Sequence, residues 1–256
     1  MVRFHGFSPW LGIAVLTLLT GCGAVFINQG SKEASLAAGL HNPEGNKVKI
    51  NVPKDQSIIC NFDDGSKNMD PKLYGASGGM WMAISSGGGG TINSDFIVAG
   101  GANGTPKAAH VFGSLTDKGD KAYPGFQLQG KFTGSGFYDA SNFTGLQFYY
   151  KCPSDDTCIK RRFGIATAPT LPTDQGGTCA SNCWDHYGTN LLVNDNWAKY
   201  TLVFADTKRE GWGGPVTPPD LVDHLTEFVS LTWTHQGNNV AGTYNVDYWV
   251  DEVEFF

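Results

Sequence analysis

The residues of this chain that could do chemistry fall into three groups. The first is acidic. Asp63 and Asp64 close the alternating run Ile58-Ile59-Cys60-Asn61-Phe62-Asp63-Asp64, and Asp251 and Glu252 interrupt the run that ends the chain. If the two runs are neighbouring strands, four carboxylates gather at one edge, where a hard cation such as calcium would find part of the oxygen set it needs. A solvated acidic edge, or aspartates bonding their own turns, is the plainer alternative. A glycosidase pair would need a cleft as well, and two strand ends beside a turn do not supply one. The second group is Cys179-x3-Cys183 followed by Asp185 and His186, which has the spacing of a zinc site and equally that of a local disulfide. The third is aromatic. Trp81, Tyr123, Trp184 and Trp212 stand in Gly- or Pro-rich segments where no core periodicity accounts for them. Flat rings there suit stacking on the apolar faces of pyranose rings, with polar neighbours such as Asp185 and His186 bonding hydroxyls. The same rings could instead plug the ends of a barrel. Gly75-Ala76-Ser77-Gly78-Gly79 matches the nucleophile-elbow string, but it lacks the strand before and the helix after that the elbow requires.

These groups must be positioned by strands. From Tyr244 to Phe256 apolar and polar residues alternate, with Val246, Tyr248 and Val250 on one face. At Asp251-Glu252 the phase slips, which predicts a β-bulge that returns Val253 and Phe255 to the core. Further short strands are expected over 58–64, 110–115, 125–132, 144–151, 161–167, 189–193, 199–204 and 228–235, separated by turn signals. The glycine-rich stretch around Gly78-Gly79-Met80-Trp81 and Gly87 to Gly90 reads as loop. Only 219–228 suits a helical turn or two, capped by Asp220. The alternation nominates a core of Phe62, Leu146, Phe148, Phe163, Ile165, Leu191, Val193, Tyr200, Leu202, Phe204, Leu231, Trp233, Val246 and Val250, with Trp197 also expected inside. Many short strands without intervening helices specify an all-β protein, a two-sheet jelly-roll β-sandwich.

Composition narrows the partners. The chain has 256 residues, a formal charge of −6 and no basic cluster, which argues against nucleic acid. Arg3, the short apolar run from Leu11 to Leu19, and then Leu19-Thr20-Gly21-Cys22 form a leader too short to span a bilayer. It resembles a bacterial lipoprotein signal peptide. The resemblance implies cleavage before Cys22, lipidation of that cysteine, and an extracytoplasmic chain tethered to a bacterial membrane, with the outer membrane expected. Outside the cytoplasm Cys152/Cys158 and Cys179/Cys183 are the nearest disulfide pairings, with cross-pairing between the two loops left open. Cys60, alternating with Ile58 and Phe62, reads as a buried free thiol.

Several segments carry a further likeness: Asn61-Phe62-Asp63-Asp64-Gly65, Gly79-Met80-Trp81, Tyr138 to Phe148, Trp197-Ala198-Lys199-Tyr200, Gly211-Trp212-Gly213 and Tyr248 to Val253. In this order they resemble galactose-binding-like carbohydrate-binding jelly rolls, near the family 11 modules and CIA30-like domains. The resemblance implies a non-catalytic module that binds a poly- or oligosaccharide. It also supports a structural calcium near Asp63, Asp64, Asp251 and Glu252. Such modules usually accompany a catalytic domain, and this chain shows none. The expected organisation is a signal peptide over 1–21, a tether over 22–56 and the jelly roll over 57–256. The alternative is a structural or assembly lipoprotein that meets a protein partner through the same exposed aromatic loops.

Overall fold

The computed structural model describes residues 52–75, 78–86, 89–93, 95–120, 124–133 and 136–256. The leader, Cys22, most of the expected tether and Tyr123 lie outside the described residues. Twelve strands follow in chain order: β1 Ile58–Cys60, β2 Gly78–Ser86, β3 Gly89–Ile92, β4 Ile97–Ala99, β5 Lys107–Asp117, β6 Gly125–Thr133, β7 Gly145–Cys152, β8 Lys160–Thr167, β9 Tyr187–Asn190, β10 Asn194–Val203, β11 Phe228–Gln236 and β12 Gly242–Phe255. All pairings between these strands are antiparallel. One sheet runs β10-β7-β12-β5-β3, with β1 on β12 and β4 on β5; the other runs β2-β6-β11-β8-β9. The result is a two-sheet jelly-roll β-sandwich.

The terminal strand organises the first sheet, pairing with β5, β7 and β1. The expected bulge is present: pairing with β7 shifts between Asp251 and Glu254, and Glu252 takes a left-handed φ of 46°. Val246, Tyr248, Val250, Val253 and Phe255 all point inward as a result. Opposite them the second sheet contributes Phe126, Leu128, Phe163, Ile165, Leu231 and Trp233. Burying each side chain of this size contributes about 1.5–3 kcal/mol of transfer free energy.

Three expectations need correction here. The glycine-rich stretch is not a loop: β2 joins the second sheet and β3 the first. Gly79 is glycine because a Cβ there would lie 2.6 Å from the Phe132 carbonyl oxygen, a close approach inside a strand. Val193 and Trp197 leave the core. Val193 is exposed and Trp197 is half-buried on the outer face of β10. The 3₁₀ helix Leu221–Glu227 does bury Leu221, but Asp220 makes no side-chain cap and pairs instead with Lys208 at 2.6 Å.

The cysteines divide differently from expectation. Cys179 and Cys183 form a disulfide, which rules out zinc there, and Cys60 is a buried free thiol. Cys152 and Cys158 are also free and buried, contrary to the pairing expected. The segment between them turns around Asp156, not around a cross-link. Asp156 Oδ1 accepts the Cys158 N–H at 3.1 Å and the Arg161 Nε–H at 3.0 Å, and each sulfur faces a backbone carbonyl.

A tryptophan-walled cleft on the second sheet

The outward face of the second sheet is polar and ordered in rows by strand register. One row runs Met82, Gln129, Thr232, Gly164 across β2, β6, β11 and β8, and the next runs Ile84, Gln127, Thr234, Arg162. The amides and hydroxyls bond along the floor: Gln127 Nε2–H donates to Thr234 Oγ1 at 3.2 Å and Gln129 Nε2–H to Ser230 Oγ at 3.1 Å. Gly164 keeps the floor open, because a Cβ there would meet Thr232 Oγ1 at 2.8 Å. Beyond β8, Trp184 and Trp212 rise with 50% and 53% of their surface exposed. With Lys160, Arg162, His186 and Glu210 they wall a pocket of about 110 Å³. That is too small to enclose a drug-sized ligand, and it suits a chain lying on the surface.

The walls are held by a buried carboxylate. Asp185 is 1% exposed, so it cannot touch a ligand as expected. Its Oδ1 accepts the Glu210 N–H at 3.0 Å, and its Oδ2 accepts those of Gly211 at 2.8 Å and Gly213 at 3.0 Å. Burial opposes its charge, but these three donors outweigh it and hold the pKa below the usual carboxylate range. Arg209 spans the same junction, donating from Nε to the Asp185 carbonyl at 2.9 Å and from Nη2 to that of Gly214 at 2.7 Å. Gly213 must lack a Cβ, which would come 2.5 Å from Asp185 Cβ. Trp212 Nε1–H donates to Glu210 Oε2 at 2.9 Å, and Lys160 Nζ reaches the same oxygen at 2.5 Å. Trp184 is held at φ 79°, a region that bulky residues rarely occupy and that tends to cluster at binding sites.

His186 reaches the pocket. Thr170 Oγ1 lies 3.0 Å from the Thr167 carbonyl, to which it donates its one proton, and 2.8 Å from His186 Nδ1. Nδ1 therefore carries the hydrogen and Nε2 is left as an acceptor. Burial pushes the imidazole down to about 4, so it is neutral at physiological pH.

The remaining expectations sort by position. Trp81 is 1% exposed and packs against Trp233 at 5.7 Å and Phe62 at 5.2 Å, so it is core and not binding surface. Among the described residues no three of the acids expected at the β1–β12 edge bring ligand oxygens together as a metal group, and each has its own partner. Asp63 Oδ2 accepts from Asn61 Nδ2 at 3.0 Å, Asp64 Oδ1 from the Ser66 N–H at 2.7 Å, and Glu252 Oε2 from Asn103 Nδ2 at 2.9 Å. Asp251 is buried, and its Oδ2 lies 2.7 Å from both the Ala102 N–H and Thr105 Oγ1. The Thr105 hydroxyl also lies 2.7 Å from the Ala102 carbonyl, so one proton serves two acceptors. Burial raises the Asp251 pKa to about 6. The neighbouring cavity lined by Cys60, Asn61, Asp64 and Asp70 is larger, about 250 Å³, but no aromatic ring lines it.

Sequence reading missed one constellation. His235 Nδ1 lies 2.7 Å from Asp156 Oδ2, and His235 Nε2 lies 2.8 Å from the Tyr150 hydroxyl. This copies the order of a catalytic triad, yet all three residues are buried and Asp156 is saturated by Arg161, Cys158 and Asp247 donors. It braces the two sheets. Asp156 lies in a turn, so no strand alternation marks it.

No family model matches the chain, and no curated protein matches it. Among solved structures, it is similar to the family 11 carbohydrate-binding module of a cellulosomal cellulase of Clostridium thermocellum, at 16% identity and a TM-score of 0.46 over 69% of this chain and 86% of that one. A family 30 module from the same organism gives 10% identity and a TM-score of 0.37 over 69% and 97%. SGBP-B from a complex xyloglucan utilization locus in Bacteroides uniformis gives 13% and 0.37 over 79% and 50%.

Proposed function

We propose that this chain is a non-catalytic carbohydrate-binding protein whose cleft on the second sheet takes a segment of an oligo- or polysaccharide. One observation carries the reading. Two tryptophans, each about half exposed, stand beside an open floor of amides and hydroxyls, Trp212 fixed by the buried Asp185 carboxylate and Glu210, and Trp184 tied by its backbone N–H to the Thr170 carbonyl. Exposed indoles are the surfaces that stack on sugar rings, and Gln127, Gln129, Thr232, Thr234 and His186 Nε2 offer donors and acceptors for hydroxyls. Titration calorimetry of the full chain against a panel of neutral β-glucan and xyloglucan oligosaccharides tests the reading. Binding lost on Trp212→Ala supports it, and absence of binding across a broad glycan array defeats it.

Two attributes complete the proposal. The Leu19-Thr20-Gly21-Cys22 segment supports a lipid anchor at Cys22 and an extracytoplasmic location on a bacterial membrane. For the calcium, the surplus of acceptor oxygens around Thr105 supports Asp251 as the anchoring carboxylate, joined by the Ala102 carbonyl and Thr105 Oγ1. The ion's part would be structural, tying the 101–105 loop to the bulge of β12.

A further inference from the structure

The outward face of the first sheet carries a second aromatic surface, on the side of the sandwich away from the cleft. Trp249 on β12 is paired across the sheet with Lys151 on β7 and His110 on β5. The His110 ring stacks on the Trp249 indole at 3.8 Å and 12°, and Lys151 Nζ sits 4.5 Å from that indole's centre. Lys151 Nζ is also 5.7 Å from the Trp197 ring, which meets Trp249 edge-on, and Lys199 Nζ lies 5.9 Å from the Tyr149 ring. Phe112, 45% exposed, extends the ladder past His110.

The charges on this face define what it would recognise. Neither Lys151 nor Lys199 has a carboxylate within ion-pair distance among the described residues, although the chain as a whole carries −6. Both ammonium groups are instead held over ring faces, positioned but electrically unanswered. The one acid in the ladder, Asp247, is held by His110 Nε2 at 2.8 Å. We infer that this face is a second glycan-binding surface, selective for an acidic sugar chain. The uronate or ester anions would meet Lys151 and Lys199, and the sugar rings would lie against Trp197, Tyr149 and Phe112. A phospholipid surface shares the anionic chemistry but fits less well, because Asp247 and Glu254 project from the same sheet face and would be pressed into the bilayer interface. This inference does not depend on the cleft: neutral sugars in the cleft and acidic sugars on the ladder are separate binding events.

The test titrates oligogalacturonate into the full chain, with a neutral glucan oligosaccharide in parallel. Lys151→Gln combined with Lys199→Gln keeps an extended polar side chain at each position and removes both charges. It should weaken oligogalacturonate binding at least tenfold and leave the neutral sugar and the melting temperature unchanged. Trp212→Ala should do the reverse, and raising the salt should weaken only the acidic ligand. The proposal is overturned if oligogalacturonate fails to bind, if the double variant binds it as the parent does, or if Trp212→Ala removes it. Binding to phosphatidylglycerol vesicles, lost in the double variant while oligogalacturonate never bound, would also overturn it and assign the face to membrane.

Discussion

The carboxylate of Asp185 holds the backbone on both sides of Trp212, through the amides of Gly211 and Gly213. A half-exposed indole is thereby fixed by a residue that no ligand can reach. Asp185→Asn replaces one acceptor oxygen by a donor facing amide hydrogens. Leaving a buried donor unsatisfied costs about 1–3 kcal/mol, so thermal melting should shift downward. Glycan affinity in the cleft should fall about tenfold as the Trp212 loop loses its seat. Unchanged affinity in a folded Asp185→Asn protein would separate the loop from the site.

Trp212 and Trp81 should behave oppositely on truncation. Trp212→Ala removes a ring bound to the protein mainly through Glu210, and is expected to keep the melting temperature within a few degrees while abolishing cleft binding. Trp81→Ala opens a void beside Trp233 and Phe62, a class of change that costs about 3–5 kcal/mol. Melting curves of the two variants, read beside calorimetry, decide it. A collapse in stability for Trp212→Ala would place that ring in the fold and not in the site.

Removing calcium should lower the melting temperature. A ligand bound only to the native state stabilises by RT ln(1 + [L]/Kd), about 2.7 kcal/mol at a hundredfold excess over Kd. Chelator should therefore shift the curve and added calcium should restore it, with Asp251→Asn insensitive to both. A melting curve that ignores chelator, in protein free of metal by elemental analysis, would remove the ion from the proposal.

The pH dependence follows from two imidazoles whose pKa burial depresses in the folded state, His186 to about 4 and His235 in the same direction. The unfolded chain then binds more protons than the native one between about pH 4 and the ordinary histidine value near 6.5. Asp251, whose pKa burial raises to about 6, acts oppositely below that pH, but two imidazoles against one carboxyl leave stability falling as pH drops through that window. Asp185 acts lower down: its depressed pKa keeps it ionised, so its contribution is lost only once the pH falls below the usual carboxylate range. Cleft affinity should accordingly be flat from about pH 6 to 8. Melting temperatures measured from pH 7 to 4 should decline, and less steeply in His186→Gln. A profile identical to the parent's would show that His186 is not buried neutral.

The anchor is checked by fractionation. Cys22→Ser should release the processed chain from the membrane fraction, and a processed variant that stayed membrane-bound would remove the lipid from the proposal.

Much of this protein is determined locally. Alternation from Tyr244 to Phe256, and its slip at Asp251-Glu252, specifies β12, its inward face and its bulge, because side-chain direction in a strand has period two whatever the partner. Proximity along the chain nominates Cys179–Cys183 and Cys152–Cys158 alike, and only the first pair bonds. Trp81 and Trp212, by contrast, both stand in glycine-rich segments and end in opposite places. Gly79 marks a close approach to β6, whereas Gly213 marks a close approach to Asp185, and both partners are remote in sequence. The rows that make the cleft floor join residues as far apart as Met82 and Thr232, so strand register alone decides that they meet. The same holds for Lys151, Trp249 and His110, which are unremarkable until three strands set them side by side. Local pattern decides which way a side chain points; only the paired sheets decide what it points at.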